Sequence, residues 1–190
     1  MKNKEMNMSI NIQTERLILR EFTKEDTVDL HEICSETYIL KWMPDWEVPF
    51  EIREKWIEWV RSKYITSTRE NIRMMLGIVL KESGKLIGMV GVGNKEEVNN
   101  EIEIAYFITE KMSGKGYVSE AVQAMSKWIF KTFDIDYLIA IVELDNYSSQ
   151  RVVEKCGFTK IGKRMILNSG ESEEKPFYYY KLLNNRKQIM

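Results

Sequence analysis

Lys111-Met112-Ser113-Gly114-Lys115-Gly116-Tyr117 stands where the hydrophobic period of the chain changes. Before it, residues 101–109 (EIEIAYFIT) alternate for most of their length, the period-two pattern of a strand. After it, Val118, Ala121, Val122, Met125, Trp128 and Ile129 recur at helical spacing, so a helix is expected to open at Gly116. Residues 137–144 follow as a nearly unbroken apolar run, the mark of a strand covered on both faces. Strand, helix and buried strand in that order predict a βαβ unit with parallel strands. Two glycines one residue apart let the backbone approach a ligand closely and turn several N–H groups toward one spot. The helix start adds roughly half a positive charge there, a combination that binds phosphate or pyrophosphate. The same stretch also reads as a plain strand-to-helix turn whose glycines serve only sterics. It is neither the dinucleotide fingerprint nor a Walker A loop.

Outward from this unit the elements are simpler. Residues 16–22 predict a first strand, and Thr23 before Lys24-Glu25-Asp26 predicts a helix start. That helix is expected to run to about Leu40 with Val28, Leu30, Ile33 and Cys34 inward. A second is expected from Phe50 to about Tyr64 with Ile52, Trp56, Ile57 and Val60 inward. Residues 72–80 and 85–92 predict strands joined at a Glu82-Ser83-Gly84-Lys85 turn. Asn146 and Gly157 bracket a further helix, and 158–167 and 176–183 close the chain as strands. The fold class is mixed α/β, one domain over residues 1–190 with its core at about 13–183.

The 190 residues carry 28 basic and 29 acidic side chains, 44% hydrophobic and 30% charged residues, and a net charge of −1. That balance argues against general nucleic-acid binding, which rests on clustered basic side chains. Cys34 and Cys156 are far apart in the chain, in no metal-like spacing, and read as reduced structural thiols. With one histidine besides, no metal site is expected. The opening residues lack the apolar core of a signal peptide, and no apolar run is long enough to span a bilayer. The expectation is a cytoplasmic protein without a membrane partner, a monomer or a homodimer.

Taken together, Glu103-Ile104-Ala105-Tyr106 and Ser113-Gly114-Lys115-Gly116-Tyr117-Val118-Ser119-Glu120-Ala121 resemble the acetyl-CoA motif of the GNAT superfamily of N-acetyltransferases. Asn146-Tyr147-Ser148-Ser149 and Glu154-Lys155-Cys156-Gly157-Phe158 resemble that family's following helix. Thr14-Glu15-Arg16-Leu17-Ile18-Leu19-Arg20 resembles the branch acting on ribosomal-protein N-termini. The resemblance covers residues 13–181. It implies a mostly antiparallel sheet of about six or seven strands with one parallel, splayed pair and helices on both faces. It further implies acetyl-CoA as cosubstrate and a primary amine as acceptor, a protein N-terminus or a small amine. An acyl-CoA-sensing module without catalysis is the rival from another class.

Carried onto this chain, the resemblance places the coenzyme A pyrophosphate on Lys111, Met112, Ser113, Gly114, Lys115, Gly116, Tyr117 and Val118. It places the pantetheine arm between the splayed strands, beside Ile104 and Tyr106, with Asn146 in contact. Glu103 becomes the candidate base, since amine attack on a thioester requires a neutral nitrogen; its plainer role is a solvent-facing strand glutamate. Ser149 becomes the candidate acid for the departing thiolate, because the tyrosine many members use falls at Val153, which cannot donate. Asn146 serves equally as an N-cap. Trp42 and Trp46, in the loop broken by Pro44, are the candidate acceptor wall, whereas Trp56 reads as core and His31 as a packing side chain.

Overall fold

The described residues fold around eight strands in a single sheet, whose order in space, with the strands numbered along the chain, is β1-β2-β3-β4-β5-β6-β8-β7. The computed structural model describes residues 9–168 and 172–184. β1 spans Asn11–Gln13 and β2 Leu17–Arg20; α1 spans Thr27–Cys34, α2 Thr37–Leu40 and α3 Phe50–Thr66. β3 is Arg73–Leu80, β4 Leu86–Lys95, β5 Glu101–Ile108, α4 Tyr117–Phe133, β6 Tyr137–Glu143, α5 Tyr147–Lys155, β7 Thr159–Ile166 and β8 Lys175–Leu183. The strand beyond the expected six or seven is β1, three residues long and paired antiparallel to β2. Three residues carry too short a pattern for alternation to show.

Neighbouring strands pair antiparallel except at one place. β5 and β6 run parallel and share a single register pair, Glu103↔Ile139, whereas β4 and β5 share eight from Gly88↔Ile108 to Lys95↔Glu101. Beyond that contact the two strands splay, which leaves the C-terminal half of β5 with unpaired backbone on its β6 side. Alternation along the sheet sorts two cores onto its faces. Ile78, Ile104, Ile108 and the α4 residues Ala121, Val122, Met125 and Ile129 build one. Val79, Phe107 and residues of α1 and α3 (Leu30, Ile33, Ile57, Val60) build the other.

Three sequence expectations need correction. The helix expected to run to Leu40 breaks at Ser35, because Glu36 turns extended (φ −65°, ψ 130°). Its carboxylate there accepts from the Thr109 hydroxyl and, at 2.8 Å, from the Glu110 N–H. This tertiary tie to the end of β5 overrides helix propensity. Val28 is exposed, so α1 buries only Leu30, Ile33 and Cys34 of the expected set. Ile52 is likewise exposed, and Arg53 takes the inward place on α3 above Ile57 and Val60. Thr23 does open the segment as expected, its N–H donating to Asp26 Oδ2 at 2.7 Å while Arg20 grips the same carboxylate at 2.6 and 2.7 Å. The tyrosine-rich segment Phe177–Tyr180 lies in β8, with Tyr179 and Tyr180 fully enclosed.

Candidate active site

The period change at residues 111–117 becomes a sharp turn from β5 into α4. Gly114 (φ +74°) and Gly116 (φ +81°) both take the left-handed region, and Gly116 is the N-cap of α4. A side chain would be strained at either position. A Cβ on Gly114 would project into open space, within 4 Å of nothing. The first-turn N–H groups of a 17-residue helix therefore meet a clear approach, as an anion requires. Tyr38 of α2 braces the turn through a 2.9 Å hydrogen bond between its hydroxyl and that of Ser113.

The opening motif braces it from the other side. Glu120 in the first turn of α4 accepts from the Thr14 hydroxyl at 2.6 Å, the Arg16 N–H at 2.9 Å and Arg16 Nε at 2.7 Å. Arg16 also donates to the Lys115 carbonyl at 3.1 Å and lies over the Tyr117 ring. These partners hold the Glu120 carboxyl below its ordinary range against the opposing cost of burial. The resemblance to a substrate branch in residues 14–20 thus rests on side chains that fasten the glycine turn.

A cleft of about 1350 Å³ runs from this turn through the gap between β5 and β6 to the face that carries α3. Met112, Ser113, Gly114, Gly116, Tyr117 and Val118 line one end, and Ile104, Tyr106, Asn146 and Ser149 line the middle. Glu103, Trp42 and Trp46 line it as well. Lys111 and Lys115 do not; both are exposed, and the Lys115 ammonium lies 3.6 Å from Met112 Sδ. Asn146 Oδ1 accepts from the Ser149 N–H at 3.1 Å, so the N-cap role and a place on the cleft coincide.

Glu103 is the electrostatic centre of the cleft. Burial pushes its carboxyl up to about 7 from an ordinary value near 4.5. Lys95 and Arg73 pull the other way, while the like charges of Glu97 and Glu143 add to the rise. Lys95 stands 4.0 Å from Glu103 and 3.7 Å from Glu97, a loose ion pair shared between two carboxylates. On the opposite face of β5, the Tyr106 hydroxyl is hydrogen-bonded to Ser149 Oγ at 2.9 Å. Burial raises the Tyr106 phenol above its ordinary value, which keeps it protonated and able to donate. Val153, which stands where many members of the resembled family carry a tyrosine, is fully buried in the core.

Matching against known families finds the acetyltransferase (GNAT) domain over residues 16–159, three-quarters of the chain and both sides of the cleft. The chain belongs to the GNAT acetyltransferase family. Among GNAT relatives it is 27% identical to the uncharacterized N-acetyltransferase YnaD of Bacillus subtilis over 176 residues, 92% of this chain and 97% of that one. It is 25% identical to the ribosomal-protein-serine acetyltransferase of Escherichia coli over 126 residues, 66% of this chain and 69% of the relative. The solved structure of RimL, a ribosomal L7/L12 alpha-N-protein acetyltransferase in complex with coenzyme A, shares the fold with a TM-score of 0.76 at 18% identity, over 92% of this chain and 98% of that one. Among the described residues no helix is long and apolar enough to cross a membrane.

Two side chains of the cleft escape sequence reasoning. Arg53 was hidden by assigning the inward stripe of α3 to Ile52; the spacing Arg53, Ile57, Val60 is the i, i+4, i+7 signal that exposes it. Lys95 follows four residues after Gly91 at the end of a long strand, and nothing local marks it as a partner of Glu103. Both cysteines are free; Cys34 is buried and pushed up to about 12, and Cys156 is pushed up to about 11, so neither is a thiolate near neutrality.

Proposed function

We propose that the chain transfers acetyl from acetyl-CoA directly to a primary amine, with a protein N-terminal α-amine as acceptor. The observation that carries this is Glu103: a carboxylate tuned to about 7, in the same cleft as an open, glycine-lined helix N-terminus. A free α-amine has a pKa of about 8, so freeing it of its proton at pH 7 costs roughly 1 kcal/mol, against about 4–5 for a lysine-like ammonium. A base near 7 suits the former. The likeness to a ribosomal-protein-serine acetyltransferase supports the same acceptor class.

In this mechanism the amides around Gly114–Gly116 and the start of α4 hold the pyrophosphate, and the unpaired edge of β5 pairs with the pantetheine amides as an added strand would. Glu103 takes the ammonium proton, and the neutral nitrogen attacks the thioester carbonyl to give a tetrahedral intermediate. Its collapse expels the coenzyme A thiolate. Ser149, hydrogen-bonded to the protonated Tyr106, supplies the proton to that sulfur and is restored by the second proton that the nitrogen sheds, through solvent, as the amide forms. We further propose that residues 1–190 act as one domain.

Thiol release from acetyl-CoA, measured with a panel of N-terminal peptides, polyamines, amino sugars and amino acids, tests this. Turnover led by peptides is expected. Turnover of small amines alone would reassign the acceptor, and tight acetyl-CoA binding with no turnover would leave an acyl-CoA sensor.

A further inference from the structure

Arg53 points from α3 into the acceptor end of the cleft with 3% of its surface exposed. Its Nη2 donates to the Trp46 carbonyl at 2.6 Å, and its plane lies over the Trp46 ring, 5.0 Å from the centroid. Its Nε is buried without any hydrogen-bond partner. Among the described residues no carboxylate stands within ion-pair distance of it. The groups around it are apolar or neutral: Trp46 packs edge-on against Trp56 and Phe107, and the Cys34 thiol stays protonated. A guanidinium has five donors and does not release its proton at neutral pH, so a buried one with a single fixed acceptor is left uncompensated. If the side chain only braced the aromatic loop, one neutral hydrogen bond to Trp46 would need no charge.

We propose that Arg53 is an anion-binding subsite for the acceptor, so that the preferred amine carries a carboxylate or phosphate group apart from the reacting nitrogen. This inference rests on the acetyl-transfer function proposed above. Phe107, which holds the Trp46 ring at 4.9 Å, lies four residues beyond Glu103 on the same face of β5. At about 3.3 Å per residue those side chains are roughly 13 Å apart along the strand. The cleft thus offers a carboxylate to the cationic end of an acceptor and a guanidinium to an anionic group farther along it. Bidentate pairing of a planar guanidinium with a carboxylate or phosphate supplies both the missing charge and the missing acceptors.

Matched amine pairs test the proposal. One pair is a short peptide with aspartate or asparagine after its N-terminal residue, and the other is glucosamine 6-phosphate or glucosamine. With saturating acetyl-CoA the wild-type chain is expected to favour the anionic member of at least one pair by about 10- to 100-fold in kcat/KM. The pair that responds identifies carboxylate or phosphate as the source. Arg53→Gln should collapse that ratio toward one, and Arg53→Lys should retain part of it. A loop-bracing role would lower both members equally and leave the ratio intact, which overturns the subsite. Equal turnover of both members by the wild-type chain overturns it too, without any Arg53 variant having to fold. Binding of the N-acetyl products to coenzyme A-loaded protein is measured alongside. If no amine is acetylated, the transfer function fails. Should the anionic products also bind no better than the neutral ones, the subsite fails with it.

Discussion

Glu103 combines two properties that pull against each other. A carboxyl raised from about 4.5 to about 7 binds its proton more tightly in the folded chain than in the unfolded one. Folding stability from this group is therefore greatest below about pH 4.5, falls as pH rises toward 7, and levels off above. The full shift corresponds to at most about 3 kcal/mol, reduced because the side chain keeps 21% of its surface exposed. Glu103→Gln is expected to melt higher than wild type at pH 8 while losing about 10²–10⁴-fold in turnover at pH 7. Wild-type kcat/KM should climb through about pH 7, whereas the variant's should climb only as the amine itself loses its proton, near about pH 8; a rate profile and a thermal melt at several pH values read both. On the other face of β5, Tyr106→Phe removes the hydroxyl that meets Ser149 at 2.9 Å. Turnover is expected to fall about 10-fold or more with little change in acetyl-CoA affinity. Ser149→Ala added to it should cost less than the two changes do separately, since both remove one proton path.

At the scale of elements, the turn between β5 and α4 is where backbone and side chains depend on each other. Gly116 is at φ +81° and leads into a helix whose first turn is tied down through Glu120. Gly116→Val combines a strained φ with a side chain beside the N–H groups, so calorimetry should show acetyl-CoA affinity falling by 10-fold or more. Glu120→Gln keeps the shape but weakens the bonds from Thr14 and Arg16. A loss of about 1–2 kcal/mol in denaturant unfolding is expected at pH 7. Because the folded-state pKa of Glu120 is depressed, its contribution is present above the ordinary carboxylate pKa and disappears as pH falls through the folded value. The gap between variant and wild type should therefore close in acid.

For the whole molecule, the cleft joins elements from distant parts of the chain: α2 and α3, the splayed pair β5 and β6, and the starts of α4 and α5. A ligand that spans them binds the folded chain and not the unfolded one. Acetyl-CoA at 100 times its dissociation constant should add about 2.7 kcal/mol of stability. A thermal-shift titration that shows no change at millimolar acetyl-CoA would remove the basis for the proposed function.

Local physics made much of this protein legible in its sequence. A change of hydrophobic period marks β5, α4 and β6, two glycines need positive φ, and Asn146 caps α5; each depends on residues close together in the chain. The family resemblance then pointed to Glu103, Ser149 and the glycine turn, all of which except the exposed Lys111 and Lys115 come together on the cleft. What the sequence did not contain were facts that depend on distant partners. Glu36 breaks a helix because Thr109 and Glu110 wait 73 and 74 residues downstream of it. Glu103 is raised to about 7 by burial and by Glu97 and Glu143, which no strand pattern announces. Arg53 sits inward, uncompensated and beside Trp46, only because α3 packs with that side toward the sheet. Period and turn chemistry are set within a few residues, whereas burial and charge pairing exist only once the sheet has brought remote residues together.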